Sequence, residues 1–220
     1  AKGEIIDPIN PETGKSWGWS DVADLNYDNQ GLRAAMTADM LHWIKNENID
    51  GFRCDVAGNV PLDYWQQAIP QLRKEKNIFM LAEAWEPELL KEGLFDMAYG
   101  WEAHHTMNRI AQGKNTVKDW DKFMAENDIK YSSDDILMNF VDNHDENSWN
   151  GTIRGRLGKG EEAMTALSYV MPGMPLIYSG NEYGLNHSLK FFEKDSIPKT
   201  KGKDWELRAK LGKLKTENNA

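Results

Sequence analysis

The chain has 220 residues, 40% hydrophobic and 28% charged, with a formal net charge of −9. That is an ordinary globular mix, long enough to bury one sizeable core. The acidic balance excludes the basic footprint of a nucleic-acid binder and argues for a neutral substrate over a polyanionic one. No run of about 18 apolar residues exists, so no membrane-spanning helix is expected. The single cysteine, Cys54, cannot form a disulfide within the chain. Its place beside Arg53 in a strand-like stretch reads as a buried structural thiol. Nine Trp and seven Tyr offer flat faces on which the CH faces of sugars stack, although core packing accounts for part of them.

Residues 1–30, with Asp7-Pro8, Asn10-Pro11 and Glu12-Thr13-Gly14, read as an irregular loop. Ala1 opens within it, without a signal-peptide pattern. Trp17 and Trp19 flank Gly18 there. Helical spacing of Leu32, Met36, Met40, Trp43 and Ile44 predicts a helix over 31–48. A strand is expected over 49–55, then a helix over 61–76 with Pro61 in its first turn. The run Ile78-Phe79-Met80-Leu81-Ala82 predicts a strand over 78–84 buried on both faces. A short helix over 87–91, a weaker strand over 94–98 and helices over 102–112 and 117–127 follow. Then come a strand over 136–141, a helix over 161–171, a strand over 175–179 and an amphipathic helix over 204–215. Strands alternating with helices give an α/β class with a parallel sheet. About five strands cannot close an eight-stranded barrel, so the sheet is either open or part of one.

Three polar motifs follow apolar runs: Gly51-Phe52-Arg53-Cys54-Asp55, Leu81-Ala82-Glu83-Ala84-Trp85 and Phe140-Val141-Asp142-Asn143-His144-Asp145. Each places a carboxylate at the same end of a βα unit, where barrel enzymes carry their chemistry. Converging carboxylates with an Arg beside one of them form a glycoside-cleaving arrangement. Arg53 and Asp55, two apart on a strand, share a face. A guanidinium there favours an ionised carboxylate, which a nucleophile requires; a structural ion pair at a strand end is the competing account. Glu83 follows five apolar residues, a setting that raises a carboxyl pKa and suits a general acid; a solvated strand-end Glu is the alternative. His144 and Asp145 side by side can bind vicinal hydroxyls. Metal ligation is the rival reading, but His144 lacks partners at ligand spacing. No G-x-S-x-G and no phosphate loop is present. Gly173-Met174-Pro175 and Tyr178-Ser179-Gly180-Asn181-Glu182 read as turns shaping the last strand, with Glu182 hydrogen-bonding beneath the site.

These residues together resemble the α-amylase family, glycoside hydrolase family 13. Gly51–Asp55 is similar to the family's fourth-strand G-F-R-x-D, Glu83 to the fifth-strand acid, and Asn143-His144-Asp145 to the seventh-strand N-H-D. Asp24-Leu25-Asn26, Phe95-Asp96-Met97, Pro172-Gly173-Met174-Pro175 and Tyr178-Ser179-Gly180 agree as well. The resemblance implies a partial (β/α)8 TIM barrel. Residues 1–30 would be the loop entering it, the tail of an inserted domain, and residues 31–220 the C-terminal half of the catalytic barrel. It implies a retaining hydrolase of α-1,4-glucosidic bonds in starch-like glucans or maltooligosaccharides. Asp55 would be the nucleophile, Glu83 the acid and base, and Asp145 the transition-state stabiliser. Arg53, His144, Asn59 and Trp85 would bind substrate or hold these acids. Where many family members carry Lys-His, this chain has Gly58-Asn59, so its acceptor side differs. An α-glucosyl-transferring relative and an inactive carbohydrate-binding fragment are the alternatives. No cofactor is assigned to the chain; calcium is an expectation for a full-length parent only. Pairing of the two end strands, or of the inner sheet face, into a homodimer is expected. The compartment stays open, with a secreted or periplasmic setting ahead of the cytoplasm.

Overall fold

The computed structural model describes residues 5–10, 13–19 and 21–218. Ala1, Pro11 and Glu12 of the expected loop lie outside the described residues. The chain divides into two compact units, one of Ala1–Gly51 with Asn59–Ile78 and one of Phe52–Gly58 with Phe79–Ala220.

In the first unit the entry segment is irregular, with one antiparallel bridge between Ile9 and Ser16. Trp17 and Trp19 stack with ring centroids 5.1 Å apart, made adjacent by Gly18 at φ 73°. Helix α1 (Gln30–Glu47) starts where the Asn29 side chain accepts from the N–H groups of Gly31 and Leu32. It ends at Asn48, in the left-handed conformation with φ 53°. Helix α2 (Leu62–Glu75) lies against it. Pro61 is its N-cap rather than part of its first turn. Arg33 of α1 is buried and grips both carboxylate oxygens of Asp63, at 2.8 and 3.2 Å.

The sheet belongs to the second unit except for Gly51, the first residue of its first strand. Strands β1 (Gly51–Cys54), β2 (Phe79–Ala82), β3 (Met97–Tyr99), β4 (Leu137–Asn139) and β5 (Met174–Pro175) lie in chain order across it. Parallel registers place Leu81 opposite Met97, Ala98 opposite Leu137 and Met138 opposite Met174. Helices α3 (Trp101–Ala111), α4 (Val117–Lys130), α5 (His144–Trp149), α6 (Ile153–Leu157), α7 (Glu161–Val170) and α8 (Lys203–Glu217) complete it. Thr116 and Asp119 cap α4 reciprocally.

One sheet face carries a cluster of Met97, Tyr99, Met138 and Phe140, with Leu81, Trp101 and Leu176 against it. A second cluster, Met107, Val141, Ile153 and Leu157, lies among the helices. Strand β2 corrects the expectation of burial on both faces. Met80 and Ala82 are fully buried, but Phe79 is exposed and Leu81 half-buried. An apolar run does not say that both faces are covered. Strand β5 is only two residues long, shorter than expected. The expected 87–91 helix is a 3-10 turn, Pro87–Leu90.

Candidate active site

Asp55 follows β1 and Glu83 follows β2, and the two strand ends are tied by backbone bonds. The Glu83 N–H donates to the Cys54 carbonyl at 3.0 Å, and the Ala57 N–H to the Glu83 carbonyl at 3.1 Å. Between the two acids stands Arg53. Its Nη1 hydrogen-bonds Asp55 Oδ1, and its Nη2 lies 3.0 Å from Glu83 Oε1 as an ion pair. That second contact lacks hydrogen-bond alignment, and among the described residues Nη2 has no hydrogen-bond partner. Arg53 and Asp55 meet as expected, but Asp55 lies in the turn beyond β1 and not on the strand with Arg53.

The two carboxylates sit in different settings. The Asp55 side chain is 71% exposed and that of Glu83 14%. Burial pushes the Glu83 carboxyl above its ordinary value. The Val56 N–H and Arg53 pull it down, while Asp55 and Asp145 add to the rise. Glu83 Oε2 accepts from the Val56 N–H at 2.8 Å. Val56 has φ 41°, a costly conformation for a β-branched residue, and it adjoins Asp55.

Asp145 and His144 lie in the first turn of α5, 3.4 Å apart between Nε2 and Oδ2. Asn143 caps that helix, accepting from the Glu146 N–H at 2.7 Å. The His144 ring stacks on Phe191 with centroids 6.2 Å apart. Beneath this turn runs a buried polar network. His104 Nε2 meets Glu146 Oε2, and Arg156 meets Asp142 at 2.7 Å and the Val141 carbonyl at 3.0 Å. Asn181 donates to the other Asp142 oxygen at 3.1 Å. Burial raises the Asp142 carboxyl despite both partners. Glu146 goes the other way: burial would raise it, but His104, Arg156 and Asn150 together hold it below its ordinary value.

The remaining expected residues are spread more widely. Trp85 is exposed and borders a cavity of about 550 Å³ lined also by Tyr99, Trp101, His105, Phe123 and Tyr131. Tyr131 donates to the Trp85 carbonyl at 2.6 Å. His144 borders a different cavity, of about 310 Å³, with Tyr178 and Phe191. Asn59 closes the turn Ala57–Asn59 and belongs to the first unit. A Cβ at Gly58 would stand 2.6 Å from Glu86 Oε2, so a carboxylate fills the space beside that position. Asp96 has a structural task, accepting from the Met80 N–H at 2.7 Å. Glu182 closes its own turn by accepting from the Gly180 N–H at 2.8 Å. Cys54 is buried as expected, and burial pushes its thiol up to about 12. Among the described residues no group of three His, Cys, Asp or Glu could hold a metal ion.

Sequence reasoning missed Tyr99, His104, Glu146 and Arg156. Tyr99 Oη accepts from Arg53 Nε at 3.1 Å, across a separation of 46 residues that no local pattern betrays. Glu146 did carry a signal, since Asn143 followed three residues later by Glu is a helix-start pattern.

The family model for the alpha amylase catalytic domain matches residues 17–215. Alpha-amylase MalA of Haloarcula japonica is 26% identical over 79% of this chain and 26% of its own length. Other curated relatives are maltogenic amylases and glucanotransferases. A solved structure of the noncanonic maltogenic alpha-amylase AmyB from Thermotoga neapolitana superposes with a TM-score of 0.81. It is 30% identical and is matched over 96% of this chain and 50% of its own. An alpha-amylase from Lactobacillus plantarum also reaches 0.81, at 27% identity, covering 98% of this chain and 52% of its own. The chain thus spans about half the length of these two structures and about a quarter of MalA.

Proposed function

We propose, from the premise that this chain belongs to the alpha-amylase family, that it carries the catalytic acids of a retaining hydrolase of α-1,4-glucosidic bonds. The observation that carries this reading is one guanidinium shared by two unlike carboxylates. Arg53 contacts both Asp55, open to solvent, and Glu83, shielded and raised in pKa.

The chemistry follows from that difference. Glu83 in its protonated form donates to the glycosidic oxygen as the bond to the anomeric carbon breaks. Asp55 attacks that carbon and forms a covalent glycosyl ester. Glu83, now ionised, takes a proton from water as its oxygen attacks the same anomeric carbon, breaking the bond to Asp55 and releasing its carboxylate. Asp145, close enough to act electrostatically on Glu83, opposes the positive charge of the oxocarbenium-like centre. His144 binds hydroxyls of the same ring. A carboxyl separation of about 5–5.5 Å between Asp55 and Glu83 belongs to this retaining course.

The test is release of reducing sugar from maltoheptaose by this chain, beside its Glu83→Gln and Asp55→Asn variants. Release that both substitutions abolish, with the anomeric configuration kept in the product, supports the reading. Undiminished release from both variants overturns it. New α-linked oligosaccharides in place of reducing sugar would favour transfer, in keeping with the 4-alpha-glucanotransferase of Thermotoga neapolitana among the relatives. Heat of binding without turnover would mark a carbohydrate-binding piece whose activity needs a longer parent. We further propose that β1 and β5, the end strands of the sheet, pair into a homodimer. A concentration-independent monomer in light scattering counts against that pairing.

A further inference from the structure

We infer that Tyr99 is a positioning residue for this chemistry: its hydroxyl sets the Arg53 guanidinium so that one fork serves Asp55 and Glu83 together. The inference rests on the reading of Asp55 and Glu83 as the catalytic pair.

A guanidinium is a rigid plane with five donors. Arg53 uses three edges of that plane on three residues. Nε donates to Tyr99 Oη at 3.1 Å, Nη1 to Asp55, and Nη2 faces Glu83 at 3.0 Å. Fixing Nε fixes the direction of both other nitrogens. Without an acceptor at Nε, the plane is free to swing towards the exposed Asp55 and away from Glu83.

Tyr99 is itself firmly held. Its ring is buried and packs edge-on against Phe140 and tilted against Trp101, each at 5.7 Å between centroids. Its N–H donates to the carbonyl of Ala84, the residue after Glu83, at 3.2 Å. The same residue is therefore anchored to the strand end that carries the acid and to the cation that faces it. The guanidinium carbon also stands 5.4 Å from the Tyr99 ring centroid, within reach of a cation–π attraction. Besides burial, the strongest influences on Glu83 are the Val56 N–H and Arg53, which lower its pKa, and Asp55 and Asp145, which raise it. Arg53 is the cation in contact with it, so its placement matters.

The experiment is a double-mutant cycle on the whole chain with Tyr99→Phe, Arg53→Lys and both together. Phenylalanine keeps the ring in the core and removes only the acceptor. The first readout is the titration of the Glu83 carboxyl by carbon NMR, its signal identified with Glu83→Gln. In Tyr99→Phe the midpoint is expected to rise by about half a unit or more, because the cation has moved off. In the Arg53→Lys background, which has no Nε at that place, the same substitution is expected to change nothing. The second readout is hydrolysis of an aryl maltooligosaccharide: kcat is expected to fall about tenfold with KM nearly unchanged. An unmoved Glu83 midpoint in folded Tyr99→Phe overturns the inference. So does an equal shift in the Arg53→Lys background, which would mean that Tyr99 acts without Arg53. Exchange of the Arg53 Nε proton in the unsubstituted chain decides the matter even if Tyr99→Phe does not fold: slow exchange is expected, and solvent-like exchange overturns it. If hydrolysis survives Asp55→Asn and Glu83→Gln, the catalytic reading fails while the titration still reports on Tyr99.

Discussion

His104 Nε2 stands 3.0 Å from Glu146 Oε2, and both side chains are buried. Glu146 follows Asp145 directly, and its other oxygen accepts from Asn150 at 3.1 Å. The pair therefore pins the first turn of α5, and with it His144 and Asp145.

Removing one member leaves a buried polar group without its partner. Glu146→Ala is expected to cost about 3 kcal/mol in urea unfolding. The pH dependence has a definite sign. The folded pKa of Glu146 is below its ordinary value of 4.5, so this stability is present above that value and is lost as pH falls through the folded pKa. The urea midpoint of the unsubstituted chain should drop on acidification below about pH 4.5, and Glu146→Gln should lack that share of the drop. Equal acid sensitivity in both proteins would contradict the assignment.

Glu83 behaves oppositely. Its carboxyl is raised above 4.5, with burial the largest cause, so it stays protonated to higher pH than a solvated Glu. The alkaline limb of kcat/KM for maltooligosaccharide hydrolysis should therefore lie above pH 4.5 and vanish in Glu83→Gln. Loss of the acid should lower kcat by about 10²–10⁴. A limb unchanged in the variant would assign it to another group.

Gly173 precedes β5 with φ 105°, and a Cβ there would stand 2.2 Å from the Leu137 carbonyl oxygen. Neither the backbone angle nor the strand beside it can accommodate a side chain. Gly173→Ala should destabilise by about 2–4 kcal/mol, read as a lower denaturation midpoint. A loss under about 0.5 kcal/mol would mean that β4 yields easily.

Cys54 is buried and its thiol sits at about 12. At neutral pH it should resist a disulfide reagent in the native chain and react fully in denaturant. Rapid native labelling would place the thiol in solvent.

Much of this was readable from the chain. The apolar runs located the five strands of the sheet, and the acid just after each of the first two is one of the two carboxylates that Arg53 contacts. Strand lengths were overread: 175–179 predicts five residues where Met174–Pro175 forms the ladder, because periodicity cannot see where pairing stops. Helices α5 and α6 were not anticipated, being too short for a helical period. The exposure of Phe79 and the Tyr99–Arg53 bond depend on what lies across the sheet, which spacing along the chain does not encode.

The order of the strands has a consequence for how the chain acquires its shape. Each strand lies beside its predecessor in sequence, from β1 to β5, so among these five strands no pairing waits for a distant segment. During synthesis each new strand can be laid against an edge that has already emerged from the ribosome. Asp55 and Glu83 would meet over Arg53 before the α5 turn bearing Asp145 joins them.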